Sequence, residues 1–176
     1  MPATPEPEPS LVFDATVLSN FALIDHVPLL GLRYRERACT TLMVVEEMQR
    51  GLETGYLHLH AIEAALAYPW ASGWLSVVPL EPVHEQPLYV DLSSSLGAGE
   101  ASCLAVAVSR RLILATDDLA ARREASRRGV RLTGTVGILI SMVRAGDLQL
   151  AQANGLLSQM IAFRFRAPVD HLDELV

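Results

Sequence analysis

The stretch LILATDDLAARREASRRGVRLTGTVGILISMVRAG, residues 112–146, decides the architecture. Leu112–Thr116 is a short apolar, β-prone run, Leu119–Arg128 reads as a helix, Val130–Thr133 as a strand and Thr135–Arg144 as a second helix. Gly129, Gly134 and Gly146 punctuate the series. Strands that alternate with helices through connections of one or two residues run parallel, with helices on both faces of the sheet. Upstream, Leu11–Ala15 (LVFDA) is another buried-strand pattern that runs into a carboxylate, followed by helical apolar spacing over Val17–Ile24. Arg37–Thr41 is predicted as a strand, with Thr40 or Thr41 capping a helix over Leu42–Arg50 that Gly51 ends. An Ala- and Leu-rich helix is predicted over Tyr56–Tyr68, stopped by Pro69, and a strand over Leu75–Leu80. Glu81–Leu96, with its prolines and serines, reads as a long loop before a strongly apolar helix, Glu100–Arg110. A last helix spans Leu148–Ile161.

Residues 1–10, MPATPEPEPS, cannot pack a core and read as a disordered tail, which leaves residues 11–176 as one α/β domain. A chain of 176 residues with 51% hydrophobic content suits that organisation. No run approaches the ~18 consecutive apolar residues of a membrane span, and the N-terminus lacks the pattern of a signal peptide, so a cytoplasmic setting is expected. Cys39 and Cys103 stand outside any CxxC spacing and read as buried free thiols. The net charge is −6, and all fourteen basic residues are arginines. Without lysine there is no Walker A loop, Schiff-base enzyme or Ser–Lys hydrolase. Guanidinium groups still allow phosphate binding.

In an open parallel sheet, ligands bind beyond the carboxyl ends of the strands, where the strand order reverses. Asp14 closes the first predicted strand and Asp117–Asp118 follow LILAT, so the two sites meet if those strands are neighbours. Carboxylates at strand ends beside an apolar core call for a balancing cation; each taken singly reads equally well as a helix cap. Glu100 opens a helix after Gly97-Ala98-Gly99, where the helix dipole favours an acid. Glu46 and Glu47 point about 100° apart on their helix, which allows one to face the crevice and the other solvent, or both to face solvent.

The pieces VFDATVLSNFALI, VVEEMQRG, LGAGEASCLAVAV, LILATDDLAARREA and GTVGILISMVRAG, in this order, resemble the PIN-domain nucleases, especially the small prokaryotic branch related to VapC-type toxins. The resemblance implies a three-layer αβα sandwich with a central parallel sheet and a Mg²⁺- or Mn²⁺-dependent endoribonuclease site. It implies catalytic roles for Asp14, Glu47, Glu100, Asp117 and Asp118, with Asp14, Glu100 and Asp118 as metal ligands. The match of Glu47-Met48-Gln49-Arg50-Gly51 to the family pattern selects Glu47 over Glu46, and Thr16 and Thr116 match polar positions beside the site. A Glu at position 100, where many PIN nucleases carry Asp, departs from the commoner pattern. Oxygen-rich sites suit Mg²⁺, which keeps several waters. The implied partners are an RNA substrate, an antitoxin protein and a second copy of the chain in a homodimer.

Arg122, Arg123, Arg127 and Arg128, with Arg131 beyond them, follow the Asp pair and can grip RNA phosphates; a solvated face with a Glu124–Arg128 pair is the other reading. His58 and His60 diverge on a helix and make a poor metal pair. Phe21, Leu23, Trp70 and Trp74 read as core or dimer contacts. A rival function is a catalytically weak PIN-like binding or assembly module. A haloacid-dehalogenase-type phosphatase would need a second Asp where Asp14-Ala15-Thr16-Val17 has Thr16.

Overall fold

Leu11–Phe13, three apolar residues with no exposed face, form β1 in the interior of the sheet in the computed structural model, which describes residues 10–68 and 71–176. Asp14 caps helix α1 (Ala15–Leu23), and α2 (Val27–Tyr34) carries the chain back to β2 (Ala38–Thr41). Helix α3 (Leu42–Glu53) starts under the Thr41 cap. A 3-10 turn (Leu57–Leu59), the short α4 (His60–Glu63), β3 (Leu66–Tyr68), β4 (Ala71–Ser72) and β5 (Leu75–Val78) follow. The second half runs α5 (Glu85–Leu92), α6 (Ala98–Arg110), β6 (Ile113–Ala115), α7 (Leu119–Arg127), β7 (Leu132–Thr133), α8 (Thr135–Ala145) and α9 (Leu150–Ala162).

The sheet order is β4-β3-β5-β2-β1-β6-β7, and every pairing is parallel except β3 with β4. From β1 the chain winds outward on one side and then crosses back to place β6 on the other. The order therefore reverses between β1 and β6, which pair Phe13 with Ala115. Asp14 and Thr116 each stand one residue beyond that pair. Helices cover both faces, giving the αβα sandwich with a central parallel sheet that the alternating pattern predicts. Among the described residues no helix is long and apolar enough to cross a membrane.

Four local expectations are corrected. Gly51 does not end α3: the helix continues to Glu53, and Gly51 is the place where the Leu59 side chain packs onto it. The stop comes at Gly55, whose φ of +99° suits glycine. The single helix over Tyr56–Tyr68 is replaced by the 3-10 turn, α4 and β3, because pairing of Leu66 with Leu75 on β5 outweighs the helix propensity of the Ala-rich run. The region read as a loop, 81–96, contains α5, with Pro87 in its first turn, where no amide is needed. Helix α2 has no counterpart among the predicted elements: its Pro28 sits in the first turn and opens the helix. The tail at residues 1–9, Pro69 and Trp70 lie outside the described residues.

Helix α5 is anchored at its start by a buried carboxylate, Glu85. Arg110 at the end of α6 donates from Nε to Glu85 Oε1 at 2.6 Å and from Nη2 to Glu85 Oε2 at 2.8 Å, a two-pronged contact on a side chain only 1% exposed. The amide of Glu81 also donates to Glu85 Oε2. Burial pushes the Glu85 carboxyl up, but the Arg110 hydrogen bonds, the Glu81 amide and the guanidinium charge outweigh it, and the net direction is down from 4.5. A carboxyl whose pKa is lowered by folding stabilises the fold above its unfolded pKa, and that contribution is lost as pH falls through the folded value. Glu85→Ala is expected to cost about 1.5–3 kcal/mol at pH 7, the scale for hydrogen bonds to a charged group, because the Arg110 side chain left behind is 35% exposed. Urea unfolding at pH 7 and at pH 3 checks it: the gap between wild type and variant should narrow at the acid end.

Candidate active site

The carboxyl ends of β1 and β6 are joined by a hydrogen-bond lattice centred on Asp14, which is 1% exposed. Asp14 Oδ1 accepts from the amide of Ala15 at 2.7 Å. Its Oδ2 accepts from the hydroxyls of Thr16 at 2.9 Å and Thr116 at 2.8 Å. Those hydroxyls in turn accept from the amides of Asp117 and Asp118, each at 3.1 Å. A hydroxyl has one proton, and both protons are used on Asp14. The 3.4 Å approach of the two threonine oxygens therefore carries none of its own. Burial pushes the Asp14 carboxyl up; the Thr116, Thr16 and Ala15 hydrogen bonds oppose this, the nearby Asp118 charge adds to it, and the net direction is up.

Three more carboxylates face the same crevice. Glu100 lies in the first turn of α6 and Glu47 on α3, and these helices are tied together at their starts: Thr41 Oγ1 lies 2.6 Å from Ser102 Oγ, which donates to the carbonyl of Gly99 at 2.8 Å. Glu47 packs against Gly99 so closely that a Cβ there would collide with its Oε2. Burial pushes the carboxyls of Glu47 and Glu100 up, and the charge of Asp14 pushes both further. For Glu100 the Asp118 and Glu47 charges add to this, while the Gly97 amide, donating to Oε2 at 2.6 Å, opposes it. Asp118 caps α7, its Oδ1 accepting from the amide of Ala121 at 2.8 Å. Asp14, Glu47, Glu100 and Asp118 thus share one electrostatic neighbourhood of like charge, partly offset by the positive ends of α1, α6 and α7.

Asp117 turns elsewhere. Its Oδ1 accepts from the amide of Thr135 at 3.0 Å, and its Oδ2 accepts from the Thr135 hydroxyl and from Asn20 Nδ2 at 3.0 Å. It caps α8 from a distance in sequence, and Gly134 leaves room for it. Asn20 also donates to the Thr135 hydroxyl at 3.1 Å. Sequence reasoning missed Asn20, Thr135 and Ser102; the available signal was a polar residue on an apolar helix face, as at Asn20 within Val17–Ile24.

The arginines divide in the same way. Arg122 Nη1 donates to the carbonyls of Thr116 at 2.8 Å and Thr133 at 3.0 Å, clamping the ends of β6 and β7. Arg127 and Arg128 pair with Glu124, and Arg128 also reaches Asp91, while Arg123 is exposed. Glu46 and Glu47 are both exposed, and it is Glu47 whose carboxylate lies against Gly99. His58 meets Ser19 and His60 meets Glu63, so the two histidines serve different neighbours. Phe21 is core, Trp74 packs edge-on against Phe13, and Leu23 is half-buried. Cys103 is fully buried and Cys39 half-buried, both free; burial pushes Cys39 up to about 11 and Cys103 well up.

A family model described as a PIN domain (DUF3368) matches residues 10–176. The chain belongs to the PIN-domain family. PIN domains are generally nucleases that use divalent metals. No curated protein matches the chain. Among solved structures, PAE2754 from Pyrobaculum aerophilum is similar in fold, with a TM-score of 0.52 over 77% of this chain and 90% of that one, at 18% sequence identity. The donor set of this PIN domain, carboxylate oxygens only, is of the type that hard divalent ions take. As the side chains stand, no three His, Cys, Asp or Glu residues among those described lie close enough together to hold an ion. Glu100 Oε2 is engaged by Gly97 and Asp118 Oδ1 by Ala121, which accounts for part of that spacing.

The lattice gives a direct expectation. Thr116→Val keeps the shape of the side chain but removes a donor to Asp14 and an acceptor for Asp118. Chemical denaturation should show a loss of about 1–3 kcal/mol, the cost of leaving buried polar groups unpaired.

Proposed function

We propose that this PIN domain is a divalent-metal-dependent endoribonuclease that cleaves RNA phosphodiester bonds in the cytoplasm as the toxin of a VapC-type toxin–antitoxin pair. The observation that carries the reading is the shared crevice at the β1–β6 switch point, where Asp14, Glu47 and Glu100 are each pushed up and Asp118 adds its charge. Four acids placed at one strand-end crevice are a poor arrangement for stability alone and a good one for a cation. Asp14, Glu100 and Asp118 would hold Mg²⁺ or Mn²⁺, whose chemistry is to acidify a water and to neutralise charge on the scissile phosphate.

The chain's own residues divide the remaining work. Thr16 and Thr116 fix the Asp14 carboxylate in one orientation, so that no reorganisation is needed when substrate arrives. Glu47 stands across the crevice on α3, placed to accept a proton from an attacking water. Asp117 acts as a positioning residue through Thr135 and Asn20. Arg123, exposed on α7, is available to phosphates, with Arg127 next to it on the same helix and Arg122 already engaged by carbonyls. An antitoxin segment covering the crevice and a homodimer complete the proposal.

One observation favours the second reading, a catalytically weak binding module: Glu100 is held by the Gly97 amide, and among the described residues no carboxylate trio is within reach of one ion. Cleavage of single-stranded RNA with Mn²⁺, comparing wild type with Asp14→Asn and Asp118→Asn, decides between the two. Each variant should lose about two orders of magnitude in rate, the scale for one electrostatic contributor. Asn is as good a helix cap as Asp, so Asp118→Asn should melt near the wild-type temperature. Equal cleavage by all three proteins would overturn the nuclease reading. Calorimetry that finds no Mn²⁺ binding at millimolar metal would favour the module.

A further inference from the structure

We infer that the open groove beside the carboxylate crevice, between α1, α3 and the end of α9, is a nucleobase subsite that seats one unstacked base of a single-stranded RNA. The inference rests on the RNA-cleaving reading and adds to it the part of the substrate that is recognised. The groove has a volume of about 560 Å³, within the range of small-molecule pockets, and Thr16 and Glu47 form its wall on the crevice side. A base is tethered to its phosphate through a single ribose, so a base seat must lie close to the phosphate site. Leu23, Met48 and Leu59 make the floor apolar.

Two aromatic rings stand open at this groove. Tyr56 is 60% exposed and Phe163 is 56% exposed, although both line it. Exposed aromatic rings beside a phosphodiester site are platforms for bases, because every base has a π-face. Away from the crevice-side wall, a polar edge is offered by Ser19 Oγ and His58 Nε2, 3.0 Å apart, with the Tyr56 ring edge-on to the imidazole at 6.1 Å between centroids. Among the described residues no arginine lines the groove, and Glu47 is its one acid. A phosphate is therefore disfavoured there, whereas a neutral, flat ring with a hydrogen-bonding edge fits the apolar floor, the rings and the Ser19–His58 pair. This also gives His58 a task that metal ligation does not.

The test uses the full chain with Mn²⁺ and two single-stranded RNA oligonucleotides, identical except that one lacks the base beside the cleaved bond. Tyr56→Ala should raise KM on the intact RNA by about 5- to 100-fold, the effect of deleting a stacking ring, and Tyr56→Phe should restore it. On the abasic RNA, wild type and Tyr56→Ala should have the same KM, since the ring has nothing to stack on. Phe163→Ala, on a second exposed ring, gives an independent reading. Folded Tyr56→Ala and Phe163→Ala proteins that cut the intact RNA with wild-type KM would overturn the subsite. It is equally overturned if these variants lose affinity only for a protein partner, such as a second copy or a covering peptide. A wild-type protein that cleaves no RNA removes the nuclease reading and the subsite together, an outcome distinct from retained cleavage that ignores Tyr56.

Discussion

Asp14 is a nearly inaccessible carboxylate held by one amide and two hydroxyls, and the geometry around it depends on keeping it there. Burying such a group without partners costs several kcal/mol. The partners come from both sides of the switch point: Ala15 and Thr16 follow β1, and Thr116 follows β6. The two hydroxyls also fix the amides of Asp117 and Asp118, so the register of β1 against β6 sets the direction of the whole Asp pair. The parallel pairing of Phe13 with Ala115 is thus both a fold contact and the frame of the site.

Around this centre four of the acids are also helix-start partners. Asp14 and Asp118 cap α1 and α7, Glu100 accepts from the Gly97 amide at the start of α6, and Asp117 caps α8 across the chain. For Asp14, Glu100 and Asp118 the helix-start role and a place in the shared electrostatic neighbourhood coexist, whereas Asp117 serves α8 alone. Caps draw the helix starts, with their unpaired amides, to one place, and the collected carboxylates then repel one another there. The tie between Thr41 and Ser102 does the same for α3 and α6, bringing Glu47 beside Glu100.

The parts of this arrangement that were legible in the sequence are those with a local signature. Leu11–Phe13 and Ile113–Ala115 are apolar runs that end in acids, and the glycines around 129–146 leave little choice of topology. Glu47 is separable from Glu46 by motif, and it is Glu47 that lies against Gly99. What failed to show was non-local. Leu66–Tyr68 looks helical until Leu75 is available to pair with it. Helix α5 hides behind Pro82, Pro87 and a serine run because its anchor, Arg110, is 25 residues away. Asn20 and Thr135 meet across 115 positions, and no short window contains both. The arginines of α7 look alike in sequence, yet Arg122 is a clamp and Arg123 a surface group.

The two margins of the sheet have a consequence for assembly. Both outermost strands, Ala71–Ser72 and Leu132–Thr133, are only two residues long. A strand that short offers too few free amides and carbonyls to recruit a neighbour's strand, which is how natural sheets avoid growing edge to edge. Such blunt margins disfavour the joining of copies by extension of the sheet. Helices cover both faces of that sheet, and the carboxyl-end crevice lies at neither margin.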